Sequence, residues 1–264
     1  MAEAPFIVCS QFTPDYRGKR DRLAASLERF GLAHELMEVP QVHRSISPRG
    51  SADMAASKPR FITSMLKRFG KPVLYVDSDM VFRKRPDLIT ALCAQDCDFA
   101  IYNWLADPMN DAWRPEPGGR QWKFYFGVDV ASDSQLMASG AVQLWRGSEA
   151  AFTLLADWEQ SLLGHPRSED DHCLDFAYNH GDRSTLKPHW LPKEYVRIGF
   201  WIYADPVIDH PELPTPIIGH FEQLGSARFR TAELRRVTKQ TPFPRDAIVD
   251  AENSNVPLFL PEKN

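Results

Sequence analysis

The spacing of apolar residues predicts strands that alternate with helices along the first hundred residues. Continuous apolar runs are typical of buried strands, and apolar residues three and four positions apart are typical of amphipathic helices. The predicted strands lie at 6–10, 34–39, 72–76 and 98–102, and the predicted helices at 17–30, 57–70 and 87–94. Strands and helices that alternate in this way form a mostly parallel sheet covered on both faces. The pattern therefore predicts an α/β fold.

The limits of the predicted helices come from their end residues. Gly31 and Gly70 are suited to end the first two helices, because glycine readily takes the left-handed conformation found there. Ser57 is a suitable N-cap for the second helix, with Pro59 in its first turn.

The alternation of predicted strands and helices stops at 103–130, a stretch rich in aromatic residues, Pro and Gly. It returns with a predicted strand at 140–145 and a predicted helix at 148–163, and a polar, proline-punctuated tail ends the chain. With no repeat or clear linker, the chain predicts one domain over 1–240 and a tail over 241–264.

Composition narrows the possible functions. The chain has 264 residues, of which 43% are hydrophobic and 25% charged, values typical of a globular protein with a sizeable core. A net charge of −4 argues against a nucleic-acid or anionic-membrane partner. No apolar run approaches the length of a transmembrane helix, and the first residues lack the pattern of a secretory signal. The four cysteines form no C-x-x-C pair, which fits reduced thiols, and we expect a cytoplasmic protein.

The strongest chemical signal is the acidic pair Asp77-Ser78-Asp79, which directly follows the apolar run 72–76. Just past a strand the chain can turn, so that both carboxylates reach one cation. Parallel sheets bind ligands at the carboxyl ends of their strands. A divalent ion held there by one or two carboxylates keeps positions for phosphate oxygens. The pair therefore predicts a metal site for a nucleoside diphosphate conjugate, with a simple turn or capping role as the alternative.

A second pair, Asp96-Cys97-Asp98, shows that so short a motif also arises by chance. No long apolar run precedes it. We interpret it as a solvated turn before the strand at 98–102.

Five motifs, taken in order over roughly 5–225, resemble the GT-A glycosyltransferases of the glycogenin and lipopolysaccharide-galactosyltransferase type. They are a strand with the loop Thr13-Pro14-Asp15-Tyr16, Lys58-Pro59-Arg60-Phe61 before the strand and acidic pair at 73–82, Ser139-Gly140 opening the segment 139–145, Glu169-Asp170-Asp171-His172, and Gly219-His220-Phe221.

This resemblance implies a single Rossmann-like GT-A domain with a mostly parallel central sheet flanked by helices. Its nucleotide-binding half would span 1–102, and its donor-sugar and acceptor half 103–240. The implied activity is metal-dependent transfer of a sugar from a nucleoside-diphosphate sugar to a hydroxyl of a carbohydrate or glycolipid acceptor, with retention of configuration. UDP is the favoured nucleotide, with GDP as the alternative, and the implied ion is Mn²⁺ or Mg²⁺.

The resemblance also implies residue roles at the donor site. Asp77 and Asp79 would bind the metal, with His220 as the third ligand, a set that suits Mn²⁺. Tyr16 would stack on the nucleotide base. The remaining donor-binding candidates are Ser78, Lys58, Arg60, Ser139 and Gly140. The alternatives are that Tyr16 is an exposed aromatic residue, that Lys58 and Arg60 form a solvated helix face, and that His220 is a core histidine.

Asp170 and Asp171 are the catalytic candidates, in that order of preference. Carboxylates accept hydrogen bonds from sugar hydroxyls and stabilise an oxocarbenium-like charge. The alternative is that they only stabilise a helix N-terminus. The sequence departs from the family in two places. It lacks the Gln of the family's acidic motif. It also lacks a lysine after His220, which Arg228 or Arg230 would replace at the diphosphate.

The aromatic stretch 103–130 is a candidate acceptor loop, because aromatic faces pack against sugars, with core packing as the alternative. Two other functions fit part of the pattern. In a phosphatase of the haloacid-dehalogenase type, Asp77 would be a phosphorylated nucleophile. A glycan- or nucleotide-binding module would keep the fold without turnover.

Overall fold

The computed structural model describes residues 4–40, 52–106, 134–165, 168, 170–195 and 206–211, with backbone alone at 52–56. Over roughly the first hundred residues, its elements alternate between strands and helices as the pattern predicts, with one additional two-residue strand at Val81–Phe82. In chain order they are β1 (Ile7–Phe12), α1 (Arg17–Arg29), β2 (His34–Glu38), α2 (Ala52–Phe69), β3 (Val73–Val76), β4 (Val81–Phe82), α3 (Asp87–Cys93), β5 (Phe99–Asn103), β6 (Ala138–Trp145), α4 (Glu149–Gly164), α5 (Asp170–His180), β7 (Pro188–Trp190) and β8 (Ile208–Asp209).

Among the described residues, the main sheet has the strand order β2-β1-β3-β6-β5-β7. The pairings β1–β2, β1–β3 and β5–β7 are parallel, whereas β6 is antiparallel to both β3 and β5. Five of its strands therefore share one direction. The predicted α/β class and the mostly parallel central sheet flanked by helices are confirmed. β6, from the second half of the chain, lies between β3 and β5 of the first.

Alternation along β3 separates two cores. Val73 and Tyr75 face the cluster formed with α2, α4 and α5, while Leu74 and Val76 face the cluster formed with α1 and α3. All four side chains are buried, as expected of a strand covered on both faces. The strand that leads to the acidic pair is therefore held rigidly from both sides.

The helix α2 begins five residues before the predicted N-cap, so the prediction that Ser57 caps it is wrong. The preceding stretch contains Ala52, Ala55 and Ala56, whose high helix propensity extends the helix through Pro59. The hydroxyl of Ser57 instead donates to Gln11 Oε1 at the end of β1, at 2.9 Å. This bond ties α2 to the edge of the sheet where the acidic pair lies.

Two smaller predictions are confirmed. The pair Asp96-Cys97-Asp98 forms a turn before β5, where Asp96 pairs with Lys187 in solvent. The four cysteines are free, and burial raises the pKa of the Cys9 thiol to about 12. Such a thiol stays protonated and is a poor nucleophile.

Asparagine and aspartate side chains hold the backbone that enters β6. Asn103 Oδ1 accepts from Met137 N at 3.1 Å, and Asn179 bonds both the N–H and the carbonyl of Leu136. Asp175 accepts from Ala138 N. These bonds join β5, β6 and α5 beside the site.

In the part of the chain that is described, no helix combines the length and the apolar character needed to cross a membrane.

Candidate active site

The acidic pair lies at the carboxyl end of β3, as the sequence predicts. Asp77 N donates to Ala141 O of β6 at 2.9 Å, and Met80 N donates back to Asp77 O at 3.1 Å, so the chain turns immediately after the strand. Because of this turn, the two carboxylates meet different partners. Asp77 faces α2, and Asp79 faces α1 and the end of β8. The turn thus places two carboxylates at the edge where parallel sheets bind ligands.

Lys58, in α2, joins Asp77 to the acidic start of α5. Its Nζ lies 3.2 Å from Asp77 Oδ1 and 2.5 Å from Asp170 Oδ2, with Gly140 O at 3.5 Å. The ammonium also lies 5.1 Å from the ring centre of Tyr75. Only 8% of the lysine side chain is exposed. The structure therefore brings together four predicted site residues: Lys58, Asp77, Gly140 and Asp170.

This arrangement shifts the protonation equilibria of its members. Burial raises the pKa of Asp77 to about 6, and the charges of Asp170 and Asp79 add to the rise while Lys58 opposes it. Burial alone would lower the pKa of Lys58, but the two carboxylates hold that pKa well above its ordinary value. Lys58 thus remains a cation, and it offsets part of the repulsion between Asp77 and Asp170.

Asp79 forms a second cluster on the other side of the turn. Its Oδ2 lies 3.3 Å from His210 Nε2 and 3.7 Å from Lys19 Nζ. Burial would raise the pKa of Asp79, yet the hydrogen bond from His210 and the positive charge of Lys19 lower it. Asp79 therefore stays ionised and available to a cation.

The donor chemistry of these residues fits a divalent ion. Asp79 Oδ2 and His210 Nε2 lie 3.3 Å apart. Asp77 belongs to the same turn, two positions before Asp79. Carboxylate and imidazole ligands suit Mn²⁺. His210 Nδ1 is buried and lacks a hydrogen-bond partner within the described ranges. Among the described residues, no three aspartate, glutamate, histidine or cysteine side chains form a group that could hold a metal ion.

The start of α5 packs against Gly140 of β6. A Cβ atom at Gly140 would lie 3.5 Å from Asp171 Cβ and 3.6 Å from Asp170 Oδ2, so the helix start and the strand are in close contact. Trp158 Nε1 donates to Asp170 O at 2.8 Å and fixes the helix start from α4. Asp170 points toward Lys58, whereas Asp171 Oδ1 accepts from His172 N within its own helix. This geometry supports Asp170 as the carboxylate nearer to Asp77.

The other predicted donor-binding residues differ in burial and in the residues that they contact. Ser78 and Ser139 are buried, and Ser139 Oγ has no hydrogen-bond partner among the described residues. Tyr16 ends a short 3-10 turn and carries the Lys19 ammonium 4.3 Å above its ring. Arg60 is exposed and donates to Glu159 of α4, so the structure gives it a partner outside the cluster.

Several predicted residues lie outside the described residues. They are Glu169, His220, Arg228, Arg230 and most of the aromatic stretch 103–130. Trp104, at the start of that stretch, is described and is buried against Tyr102.

Three polar residues at the site were not singled out from the sequence. Lys19 follows Tyr16 by three positions, a helical spacing that could have indicated their contact. Asp175 follows Asp171 by four positions and falls among apolar residues, which marks it as a buried acid. His210 precedes a proline in an irregular segment, and no pattern pointed to it.

Asp175 connects α5 to β6 from inside the core. Its Oδ1 accepts from Ala138 N at 2.7 Å, and the residue is 1% exposed. Burial raises its pKa well above the ordinary value, and the nearby charge of Asp171 adds to the rise, with Asp170 contributing less, while the bond from Ala138 opposes it. Asp175 therefore fixes the helix that carries both catalytic candidates.

We expect Asp175→Ala to lower the free energy of unfolding by about 1–3 kcal/mol, because it leaves the buried Ala138 N–H without a partner. Asp175→Asn keeps the accepting oxygen. A carboxyl whose pKa is raised by folding stabilises the protein at low pH and loses that contribution as pH rises through the folded pKa. Asp175→Asn should therefore gain stability relative to wild type as pH rises from about 4, the unfolded pKa of an aspartate, toward neutrality. Urea unfolding across this range measures both effects, and an equal pH dependence in the two proteins would contradict the second.

The sheet, the turn after β3 and the acidic start of α5 are compatible with a glycosyltransferase, and the sequence comparison identifies the class. The family model for nucleotide-diphospho-sugar transferases matches residues 23–220. The chain therefore belongs to the nucleotide-diphospho-sugar transferase family. Membership in this family gives no support to the haloacid-dehalogenase alternative. It also gives no support to the alternative of a binding module without turnover. No curated protein matches the chain significantly.

The comparison with solved structures finds glycosyltransferases at low sequence identity. One is a glycosyltransferase involved in glycosylation of the major capsid of PBCV-1, with 10% identity and a TM-score of 0.48 over 89% of this chain and 99% of that one. Another is mouse xyloside xylosyltransferase 1, with 13% identity and a TM-score of 0.48 over 80% of this chain and 99% of that one. A third is the bifunctional glycosyltransferase WbbM, with 10% identity and a TM-score of 0.48 over 74% of this chain and 40% of that one.

Proposed function

We propose that this glycosyltransferase moves a hexose from a UDP-sugar to a hydroxyl of a carbohydrate or glycolipid acceptor, in a metal-dependent reaction that retains the configuration of the sugar. The observation that carries the proposal is the acidic turn at the carboxyl end of β3, which faces Lys58 and Asp170 on one side and Lys19 and His210 on the other. A cytoplasmic location, favoured by the free thiols, remains a prediction.

Asp77 and Asp79 would hold a divalent ion, Mn²⁺ or Mg²⁺, together with His220 or His210. When bound, such an ion neutralises the charge of the leaving nucleoside diphosphate. The protein's own residues supply the remaining requirements. Tyr16 would bind the base and the Ser139-Gly140 backbone would contact the donor sugar, beside the Ser139 hydroxyl, which is buried and has no partner among the described residues.

Asp170 would act at the reacting carbon. Asp170 Oδ2 lies 2.5 Å from Lys58 Nζ and next to Gly140, and the Tyr75 ring lies 5.1 Å from the same ammonium. A carboxylate fixed in this way stabilises positive charge that develops at the anomeric carbon without reorganising. The acceptor oxygen would then bond to the anomeric carbon on the face from which the diphosphate departs, with the hydroxyl proton passing to a departing phosphate oxygen, and the configuration would be retained. Product NMR that distinguishes the anomers tests this last point.

The proposal predicts that a nucleotide stabilises the protein only when a divalent ion is present. A nucleotide at 100 times its Kd should raise the free energy of unfolding by about 2.7 kcal/mol. Thermal-shift and calorimetric measurements with UDP, GDP, UDP-sugars and a simple phosphate ester, with and without Mn²⁺, check this on wild type and Asp79→Ala. We expect the Asp79→Ala variant to lose the Mn²⁺-dependent response.

Asp96→Ala is the matched control, since it removes an exposed acid from the second acidic pair, away from the site. His210→Ala and His220→Ala in the same assay identify the third metal ligand, because the variant that loses Mn²⁺ dependence lacks it. Absence of any nucleotide response, together with Mg²⁺-dependent release of phosphate from the ester, would refute the proposed transferase.

A further inference from the structure

Lys19 occupies the space between two predicted donor-binding residues. Its ammonium lies 4.3 Å from the ring centre of Tyr16 and 3.7 Å from Asp79 Oδ2. The side chain is 25% exposed, which is low for a lysine on a surface helix. Nucleotide base and metal would sit at Tyr16 and Asp79, so the diphosphate that joins them has to pass Lys19.

Two other basic residues predicted to bind the donor have partners elsewhere, while Arg228 and Arg230 lie outside the described residues. Lys58 is enclosed between the carboxylates of Asp77 and Asp170. Arg60 pairs with Glu159 on the opposite side of α2 from the acidic turn's cluster. Within the described ranges, Lys19 is the cation that meets Asp79 from the side of Tyr16.

The contact of Lys19 with Asp79 is one that a bound ion would weaken. At 3.7 Å the two groups form an ion pair rather than a close hydrogen bond. A divalent ion on Asp79 would compete for the same carboxylate and repel the ammonium. The lysine side chain is flexible and has three donors, so it can turn from a carboxylate to phosphate oxygens with little movement of its backbone.

We propose that Lys19 exchanges partners during donor binding: it neutralises Asp79 in the free enzyme and binds the diphosphate of the donor once a divalent ion occupies Asp79. The proposal rests on the proposed function, because it requires a nucleotide donor at the acidic turn. It assigns to α1 the cationic role for which Arg228 or Arg230 is the candidate from the sequence.

The proposed partner exchange predicts that Lys19→Met changes the affinities for two ligands in opposite directions. Loss of a charge-assisted bond should weaken binding of UDP or GDP in the presence of Mn²⁺ by about 10- to 100-fold. Removal of the competing ammonium should tighten binding of Mn²⁺ alone by about 2- to 10-fold. Calorimetry of the full chain measures the first, and electron paramagnetic resonance of free Mn²⁺ measures the second.

Two variants serve as controls. Lys19→Arg keeps a positive charge that binds phosphate and should leave the affinity for the preferred nucleotide within about threefold of wild type. Lys67→Met removes another lysine that lies over an aromatic ring, that of Phe152 at 5.8 Å, away from the acidic turn, and should change neither affinity. Urea unfolding confirms that each variant is folded, and Lys19→Gln replaces Lys19→Met if the latter is not.

The outcomes separate this proposal from the proposed function. If wild type binds a nucleotide with Mn²⁺ and Lys19→Met binds it equally well, partner exchange is overturned while the transferase stands. If the variant loses affinity for Mn²⁺ alone as well as for the nucleotide, Lys19 only supports Asp79, and the exchange is again overturned. If wild type binds neither UDP nor GDP, both proposals fail together.

Discussion

Replacing Asp170 by Asn is expected to lower kcat by about 10²- to 10³-fold, while the affinity for the nucleotide changes by less than about threefold. The reason is that the carboxylate acts on charge that develops only as the glycosidic bond breaks. Lys58 and the bond from Trp158 to the Asp170 carbonyl hold it in place before reaction. Steady-state kinetics of donor hydrolysis or transfer, with calorimetry of nucleotide binding, separate these two quantities.

Asp171→Asn is the matched comparison, since the neighbouring carboxylate accepts from its own helix at His172 N. We expect a smaller loss of kcat there. Asp87→Asn, an exposed acid in α3, should leave kcat unchanged. If Asp171→Asn were the more damaging variant, the order of the two catalytic candidates would be reversed. If neither changed kcat, the role of the start of α5 would be limited to structure.

Replacing Lys58 by Met is expected to lower the free energy of unfolding by about 3 kcal/mol. Removing one partner of a buried ion pair leaves the other uncompensated, and here a single ammonium serves both Asp77 and Asp170. The value lies at the low end for buried pairs because 36% of the Asp77 side chain and 23% of the Asp170 side chain remain exposed. Urea unfolding near neutral pH measures the change.

Arg60→Met is the matched control on the same helix. Its ion pair with Glu159 is exposed, and exposed pairs contribute little, so we expect a change below about 1 kcal/mol. Equal effects of the two substitutions would show that Lys58 does not act as a buried counter-ion. In that case Asp77 and Asp170 would have to be neutralised by other groups.

The outcome for α2 shows why local signals have limited range. Ser57 and Pro59 have the chemistry of a helix start, yet the helix begins at Ala52 because the alanine-rich stretch before them also favours helix. The Ser57 hydroxyl is used by Gln11 of a strand that is 46 residues away in sequence. Such a bond depends on packing, and no end signal in the sequence reports it.

Lys58 and Arg60 show the same limit at the site. Both are basic residues two positions apart, and the sequence could not tell which faces the acidic turn. Packing of α2 buries the first against Asp77 and exposes the second toward α4. Similarly, Asp79 meets Lys19 and His210 only because the turn after β3 directs it toward α1 and β8.

The α/β class, the strand that carries the acidic pair and the family motifs could be predicted from the amino-acid sequence, because apolar periodicity and short motifs are local properties of the chain. Which charges meet could be learned only from the packed fold: Lys58 contacts Asp77 and Asp170, and Lys19 and His210 contact Asp79. Those contacts join segments distant in sequence, and their geometry follows from how the helices pack on the sheet. Burial there also sets the protonation of Asp77 and Asp175, since desolvation depends on the surrounding fold and not on neighbouring residues in the chain.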